Sequence, residues 1–363
     1  MDRFDRLLLA LPVVRRLYAM RAATLKKGTC ILLHRLGWLK PITFVQWLAT
    51  YRCNFQCAFC EASANVAQAD ELTTEEVFSL IDDLAAMGAK RLVISGGEPL
   101  VREDLAAIVK YAKRKGLSLG LVSNGFLTRK RWPELQQGHY FMYFTSLDGP
   151  RHFHDAARAE NSFNRVMESL DHFAERGVPL RIVNTVVHPG NFHLLPEMLT
   201  IMSNSRATRW HLTPIQQVGR AEGHDGFRLS GLQLRQLVEF ATTSCKIMPV
   251  ALGESHTYLS CFTGMPITKP FFCGAGLTRC AIMPEGSVVA CQQVYDLRLA
   301  EGNIRERPFS TIWREAFKDL RRWHTPESCS GCDHLSACQG GCWAEMKLHQ
   351  ACLKSVFYQK DQQ

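Results

Sequence analysis

Short apolar segments alternate with amphipathic segments from about residue 43 to residue 250. The short segments are rich in β-branched and aromatic residues, and they predict strands at 43–51, 91–95, 117–123, 140–146, 180–187 and 208–214. Between them apolar residues recur every three or four positions, which predicts helices at 73–88, 103–115, 163–176, 193–203 and 230–246. A capping box of Thr73 and Glu76 marks the start of the first helix, and Gly88 marks its end.

The alternation of strand and helix implies parallel strands joined by right-handed crossovers. Six such units, rather than the eight of a closed barrel, predict a partial, open (β/α)6 barrel of the α/β class that is TIM-like. In this architecture the reactive groups follow the carboxyl ends of the strands. The loops after the predicted strands are therefore where we expect the chemistry.

The two ends of the chain have different patterns. Residues 1–42 predict a basic amphipathic helix that packs on the barrel, and the alternative is a helix that contacts a membrane surface or a partner. After about residue 250 the periodicity gives way to a segment rich in Cys, Gly and Pro, which needs metal because it has little apolar surface to bury. We therefore predict an N-terminal helical segment at 1–42, the barrel at 43–250 and a cysteine-rich domain at 251–363.

Composition narrows the class of protein. Of the 363 residues, 46% are hydrophobic and 21% are charged, which is typical of a folded globular chain rather than a disordered one. No apolar segment reaches the roughly 20 residues that cross a bilayer, and the apolar start is interrupted by Pro12 and lacks a signal-peptide cleavage site. These features predict a cytoplasmic protein without a transmembrane segment, whose thiols are reduced and available to metal.

The cysteines are clustered. Of the fourteen, three lie within eight residues at Cys53, Cys57 and Cys60, and nine lie between Cys261 and Cys352. The formal charge of +9 suggests nucleic acid or an anionic surface as a partner, but three [4Fe-4S] clusters bound through thiolates would lower it to roughly +4. We therefore expect no nucleic-acid partner.

The first cysteine group directly follows the first predicted strand. Its CxxxCxxC spacing can hold three irons of a [4Fe-4S] cube and leave the fourth iron without a protein ligand, open as a reaction site. A structural zinc site is the competing interpretation, and it needs a fourth ligand, for which Glu61 is the local candidate.

With Phe59 before its last cysteine, this motif resembles the CxxxCxΦC signature of radical S-adenosylmethionine (SAM) enzymes, in which Φ is aromatic. The resemblance implies that the amino and carboxylate groups of SAM chelate the open iron, and that an electron from the cluster cleaves SAM to a 5′-deoxyadenosyl radical. It also implies SAM-binding residues in the loops and strands of the barrel. These residues are Phe59, Gly96, Gly97, Glu98, Pro99, Ser123, Asn124, Ser146, Asp148 and Asn184. His154, Asp155, Arg158 and the segment 219–221 match one large subgroup of the family.

The C-terminal cysteines resemble the SPASM extension of radical SAM enzymes, because Gly286 and the cysteines around it have the spacing of that extension. The resemblance implies two auxiliary [4Fe-4S] clusters. One would use Cys273, Cys280, Cys291 and Cys342, and the other would use Cys329, Cys332, Cys338 and Cys352. Cys261 is a rival to Cys280 as a ligand, or that iron stays open. A pair of zinc sites is the competing interpretation.

Three cysteines, Cys30, Cys245 and Cys261, remain outside this assignment. We expect each to be a small buried apolar residue. For Cys261 the functional alternative is a hydrogen-atom donor or a substrate contact near the auxiliary cluster.

The resemblance implies a radical SAM oxidoreductase with three [4Fe-4S] clusters and SAM as cofactors. Its substrate would be a ribosomally made peptide, crosslinked or oxidised during maturation. Its partners would be an external electron donor of the flavodoxin or ferredoxin type and a leader-binding protein, unless the N-terminal helix docks the leader. The alternative substrate is a small molecule, as in haem-pathway enzymes that oxidatively decarboxylate a porphyrin precursor. A non-catalytic iron-sulfur electron carrier is the third hypothesis, and Glu98 with its glycines argues against it, because a carrier does not need to chelate SAM.

Overall fold

The structure, a computed structural model, describes residues 29, 31–32, 42–65, 70–262, 271–322, 327–349 and 352–358. Most of the predicted N-terminal helix lies outside the described residues, and so does Cys30. The described part holds the barrel and most of the cysteine-rich region.

A nine-stranded sheet forms the centre of this part of the chain. Its six central strands are parallel neighbours in chain order, and they confirm the predicted strands with small shifts at the ends. They are β1 (Phe44–Leu48), β2 (Arg91–Ser95), β3 (Ser118–Val122), β4 (Tyr140–Ser146), β5 (Leu180–Val187) and β6 (Arg209–Pro214). Because all six are parallel, the loops that follow them meet at one end of the sheet.

Helices connect these strands. The predicted helices are confirmed as α1 (Thr74–Ala86), α2 (Leu105–Arg114), α5 (Ser162–Glu175), α7 (Leu195–Ser203) and α8 (Gly231–Ser244). Shorter ones that the pattern did not predict are α3 (Thr128–Leu135), α4 (Arg151–Ala157) and α6 (Pro189–Phe192). The predicted capping box of α1 is present, since Glu76 N donates to Thr73 Oγ1 at 3.2 Å and Thr73 N donates to Glu76 Oε2 at 2.8 Å.

Three further strands were not predicted, because each has only two to four residues and lies where the chain has no clear periodicity. β7 (Val250–Leu252) pairs with β6 at one edge of the sheet. β8 (Arg279–Ile282) pairs in parallel with the other side of β1, and β9 (Val288–Val289) pairs antiparallel with β8. The cysteine-rich region therefore completes the sheet of the barrel. Within the described residues β7 and β9 are its edges, so the barrel is open, as predicted.

The rest of the cysteine-rich region is short helices and turns. The helices are α9 (Phe309–Glu315), α10 (Lys318–Arg321), α11 (Leu335–Cys338), α12 (Trp343–His349) and α13 (Leu353–Phe357). None of the helices in the described ranges combines the length and apolar character needed to cross a membrane.

The main apolar core lies between the sheet and its helices. Trp47, Tyr143 and Trp210 from the strands and Leu84 and Phe173 from the helices are completely buried in it. Burying one such side chain contributes roughly 1.5–3 kcal/mol. This packing fixes the strands, and with them the starting points of the loops that carry the site.

Candidate functional site

The cysteine loop (residues 49–65) leaves the end of β1 and carries Cys53, Cys57 and Cys60, all with free thiols. Asn65 closes this loop on itself. Its side chain accepts from Cys53 N at 2.7 Å and donates to the carbonyl of Phe55 at 3.1 Å, while its own N–H donates to Tyr51 O at 2.8 Å. Asn65 therefore fixes the backbone on both sides of Cys53.

The loop after β6 holds the cysteine loop in place through hydrogen bonds and close backbone packing. Arg220 donates from Nη1 to the carbonyl of Cys57 at 2.7 Å, and its backbone N–H donates to the carbonyl of Cys60 at 3.0 Å. Gly219 has a φ of +60°, and a Cβ there would lie 2.4 Å from the carbonyl oxygens of both Cys60 and Glu61. The sequence singled out this segment only as a family match, and the contact explains why it needs Gly and Arg.

Burial shapes the chemistry of these thiols. It raises the pKa of Cys53 to about 11, although the N–H of Phe55, which donates to the sulfur at 3.3 Å, opposes the shift. Burial also raises the pKa of Cys57, and the positive charge of Arg158 opposes that shift. Binding to a metal would therefore have to displace protons from the thiols. Three unpaired thiols on one loop fit three irons of a cube.

The Gly-Gly-Glu-Pro segment after β2 packs directly on the cysteine loop. Gly97 N donates to Thr50 O at 2.7 Å, and Glu98 N donates to Arg52 O at 2.9 Å. A Cβ on Gly97 would lie 2.4 Å from Arg52 O, and one on Gly96 would lie 2.6 Å from Thr50 O. Glycine is required at both positions because backbone approaches backbone, and Pro99 then begins a short 3-10 turn.

The carboxylate of Glu98 is fully buried and joins the ends of β2 and β3. Oε1 accepts from Leu100 N at 3.0 Å and from the Ser123 hydroxyl at 2.9 Å, and Oε2 accepts from Asn124 N at 2.7 Å. Burial raises the pKa of Glu98 to about 7, against these three hydrogen bonds. The sequence suggested an acceptor for SAM, whereas here the carboxylate positions the Ser123–Asn124 turn. The Asn124 amide in turn donates to Asn54 at 2.8 Å, inside the cysteine loop.

Asp148, after β4, directs a cation toward the cysteine loop. Its Oδ2 lies 2.5 Å from Arg158 Nε, and its Oδ1 accepts from Val186 N at 3.1 Å. Burial alone would raise the pKa of Asp148, but Arg158 lowers it below the usual value. The guanidinium lies 5.5 Å from the centre of the Phe59 ring. His154 is buried and accepts from Asp148 N at 3.1 Å, so it supports this loop.

Ser146 and Asn184 are paired residues on β4 and β5. Both are partly exposed near the carboxyl ends of these strands. The Asn184 side chain accepts from the Thr213 hydroxyl of β6 at 2.6 Å. All ten predicted SAM-binding residues thus lie at this end of the barrel or in its loops.

In the cysteine-rich region, Cys273, Cys291 and Cys342 form what we call the first auxiliary group. Burial raises the pKa of Cys291 and that of Cys342 to about 12 each, and the thiol of Cys273 adds to both shifts. The three thiols are thus close enough to influence one another.

Cys280 remains the predicted fourth ligand of this group. It lies on β8 opposite Val45 and is buried in the core with 3% exposure. Burial raises the pKa of its thiol, and the charge of Arg321 opposes the shift.

Cys329, Cys332, Cys338 and Cys352 form what we call the second auxiliary group. The four cysteines line one cavity of about 470 Å³, together with Tyr258, Phe262 and Lys354. Lys354 Nζ lies 3.5 Å from Cys332 Sγ. Four thiols around a cavity fit the thiolate ligation of an iron-sulfur cube.

Of the remaining cysteines, Cys261 is buried with 2% exposure, as expected, in the turn at 254–262. Cys245 is exposed, so the expectation of burial was wrong for it, because it caps the end of α8 at the surface. Among the described residues, no set of three or more His, Cys, Asp and Glu side chains is arranged to hold a single metal ion.

Comparison with known proteins agrees with this geometry. The radical SAM superfamily model matches residues 47–193, and the model of the SPASM iron-sulfur cluster-binding domain matches residues 273–333. The mycofactocin maturase MftC of Mycolicibacterium smegmatis is 31% identical over 306 residues, which cover 82% of this chain and 77% of that protein. An AdoMet-dependent heme synthase of Oleidesulfovibrio alaskensis is 27% identical over 324 residues, covering 83% of this chain and 82% of that protein.

Among solved structures, Streptococcus suis SuiB bound to S-adenosylmethionine superposes with a TM-score of 0.71. The match covers 90% of this chain and 79% of that chain at 17% sequence identity, so it supports the fold.

Fold and site together define an α/β enzyme that works with an iron-sulfur cluster at the mouth of a partial barrel. The chain belongs to the radical SAM superfamily, and its cysteine-rich region carries a SPASM domain. Its cofactors are accordingly iron-sulfur clusters and SAM. This confirms the family, the fold class and the oxidoreductase chemistry predicted from the cysteine motifs, and it disfavours the electron-carrier hypothesis.

Proposed function

We propose that this enzyme oxidatively modifies a ribosomally made peptide, for instance by crosslinking two of its side chains. The observation that carries the proposal is the similarity to mycofactocin maturase MftC, at 31% identity over 82% of this chain. The fold is also that of SuiB, a protein whose structure has been solved with its precursor peptide SuiA.

The cysteine loop would hold the SAM-binding cluster through Cys53, Cys57 and Cys60. Two further [4Fe-4S] clusters would bind at the first and second auxiliary groups, which makes three in all. When bound, the first cluster and SAM together supply a 5′-deoxyadenosyl radical that abstracts hydrogen from the substrate.

The protein's own residues would orient SAM and keep the loops in place. Ser146, Asn184 and the backbone of Gly96 and Gly97 would border the space that SAM would occupy beside the cysteine loop. Glu98 would hold the Ser123–Asn124 turn against that space through its three hydrogen bonds. Asp148 would keep the Arg158 cation beside Cys57, where positive charge favours the thiolate. Cys261 is the proposed hydrogen-atom donor.

Several partners follow from this chemistry. An electron donor of the flavodoxin or ferredoxin type would reduce the cluster, and a separate leader-binding protein would present the peptide. Oxygen-sensitive clusters and free thiols favour the reducing cytoplasm as the location. No nucleic-acid partner is proposed.

The test is anaerobic reconstitution with iron and sulfide, followed by SAM and dithionite. We expect 5′-deoxyadenosine from the native chain and none from Cys57→Ala. Adding the short peptides encoded beside the gene should give a product that has lost hydrogen mass. If none of them changes in mass while 5′-deoxyadenosine forms, the peptide assignment is wrong.

The second candidate is a small-molecule substrate, favoured by the 27% identity to AdoMet-dependent heme synthase over 83% of this chain. Incubation with an iron porphyrin that carries propionate groups distinguishes the two. Loss of carboxyl groups from the porphyrin, with peptides unchanged, would favour this candidate.

A further inference from the structure

Gln293 contacts two cysteines of the first auxiliary group. It follows Cys291 by two positions, and its backbone N–H donates to the Cys291 thiol, a hydrogen bond that opposes the rise in the pKa of that group. Its side-chain Oε1 atom lies 3.8 Å from Cys342 Sγ, within reach of a hydrogen bond from the thiol. One residue therefore reaches two predicted iron ligands, one with its backbone and the other with its side chain.

The other end of the same side-chain amide contacts the loop after β6. Gln293 Nε2 donates to Oε1 of Gln216, which belongs to that loop, at 2.9 Å, and it lies 3.5 Å from Ser255 Oγ. Ser255 Oγ is in turn 3.0 Å from Nδ1 of His256, which is buried. Partners on both sides thus fix the Gln293 amide, with its oxygen toward the cysteine and its NH2 group toward Gln216.

This orientation of the amide suits a free thiol but not a cysteine that is bound to iron. A thiol can donate to Gln293 Oε1, whereas an iron ligand is a thiolate, which only accepts hydrogen bonds. The amide oxygen would then face the negative sulfur of Cys342, while the NH2 group points away from it. Because the oxygen and the nitrogen of an amide are nearly equal in size, a rotation by 180° exchanges them without requiring more space.

Gln216 has the donor that the rotated amide needs. Its Nε2 atom is buried and has no hydrogen-bond partner within the described part of the chain, and such a donor costs about 1–3 kcal/mol. If the Gln216 amide also rotates, this Nε2 donates to Gln293 Oε1, and Gln293 Nε2 can donate to the sulfur. The oxygen that takes the buried position is tolerated better than an unpaired N–H. The two amides therefore have a second paired orientation, which suits a bound cluster.

We propose that Gln293 is a positioning residue that donates its side-chain amide to the sulfur of Cys342 when the first auxiliary cluster is bound, and that Gln216 holds it in this orientation. A hydrogen bond to a ligand sulfur stabilises the more negative, reduced state of a cluster, so it raises the reduction potential. The loop of Gln216 also holds the cysteine loop through Gly219 and Arg220. The two amides thus connect the first auxiliary cluster to the barrel. The inference rests on the proposed auxiliary cluster.

The test is a redox titration of the full chain after reconstitution with iron and sulfide, with the reduced clusters measured by EPR spectroscopy. Cys53, Cys57 and Cys60 are replaced by Ala in every sample, so that the SAM-binding cluster contributes no signal. Gln293→Met removes the donor at similar side-chain length, and it should shift the equilibrium toward the oxidised cluster about tenfold, which lowers the potential of a one-electron couple by about 59 mV. Gln293→Glu places negative charge beside the sulfur and should lower the potential further.

Gln217→Met is the matched control, because Gln217 is the next residue of the same loop and donates to His224 O at 3.5 Å rather than to Gln293. It should leave both potentials unchanged, whereas Gln216→Met should lower the same potential as Gln293→Met. The second auxiliary cluster is the internal reference and should titrate alike in all variants. The proposal is overturned if both Gln293 variants keep the parent potentials and iron content, or if Gln216→Met and Gln217→Met behave alike. A parent that binds only one cluster would overturn it together with the proposed auxiliary cluster.

Discussion

Glu98→Gln tests whether the buried carboxylate positions the SAM site. The native carboxylate accepts three hydrogen bonds, from Leu100 N, the Ser123 hydroxyl and Asn124 N. A glutamine has the same shape but only one acceptor oxygen. In either orientation its NH2 group faces at least one backbone N–H, and that donor is left unsatisfied.

A buried donor left without a partner costs about 1–3 kcal/mol. The Asn124 turn contacts the cysteine loop through Asn54, so we expect the cost to appear in SAM binding. At 1.4 kcal/mol for each factor of ten, binding should weaken roughly 5- to 150-fold. The measurement is 5′-deoxyadenosine formation at increasing SAM concentration, with iron content determined on the same samples.

The control is Glu103→Gln, which makes the same chemical change at an exposed residue five positions away. It should bind SAM like the native chain. If Glu98→Gln retains full iron and native SAM affinity, the turn does not depend on this carboxylate and the reasoning is wrong.

Three other changes test separate parts of the structure. Cys332→Ala should remove the iron of one cluster and stop product formation while SAM cleavage continues in part, and unchanged turnover would make the second auxiliary group dispensable. Gly219→Ala places a Cβ 2.4 Å from two carbonyl oxygens of the cysteine loop, whereas Gly223→Ala also has positive φ but meets nothing within 4 Å. Gly219→Ala should retain less iron than Gly223→Ala. Equal iron retention would contradict the view that the loop after β6 holds the cysteine loop in place. Burial lowers the pKa of His154 from 6.5 to about 4. Between these two pH values the unfolded chain therefore binds more protons than the folded chain. The free energy of unfolding then decreases as the pH falls, by at most about 1.4 kcal/mol per pH unit. Chemical denaturation at pH 7 and pH 5 should show a smaller loss of unfolding free energy for His154→Gln than for the native chain. An equal loss in both would contradict this reasoning.

Much of the fold was predictable because the barrel strands have strong local patterns. The segment 140–146 coincides with β4, and 180–187 coincides with β5. β7 and β8 were missed because strands of three or four residues carry too little periodicity. Their place in the sheet depends on partners far away in the chain, such as Trp47 for Ile282.

The candidate site was also predictable from the sequence only where its residues are close together in the chain. Cysteine spacing identified the cysteine loop, because its ligands are local in the chain. The ligand role of Cys280 was implied only by the resemblance to the SPASM extension, and it stays a prediction. The roles of Arg220 and Asn65 were missed, since each stabilises the loop through backbone carbonyls or amides, which no motif encodes.

The pairing of β8 with β1 has a consequence for dissecting this enzyme. A fragment that stops before β8 would leave one side of β1 with unsatisfied peptide groups beside Trp47, and such an edge invites aggregation. Exchanging the SPASM region between relatives would likewise succeed only where the incoming strand matches the register of Val45 with Cys280. The two halves of this chain are therefore expected to fold, and to be inherited, as one unit.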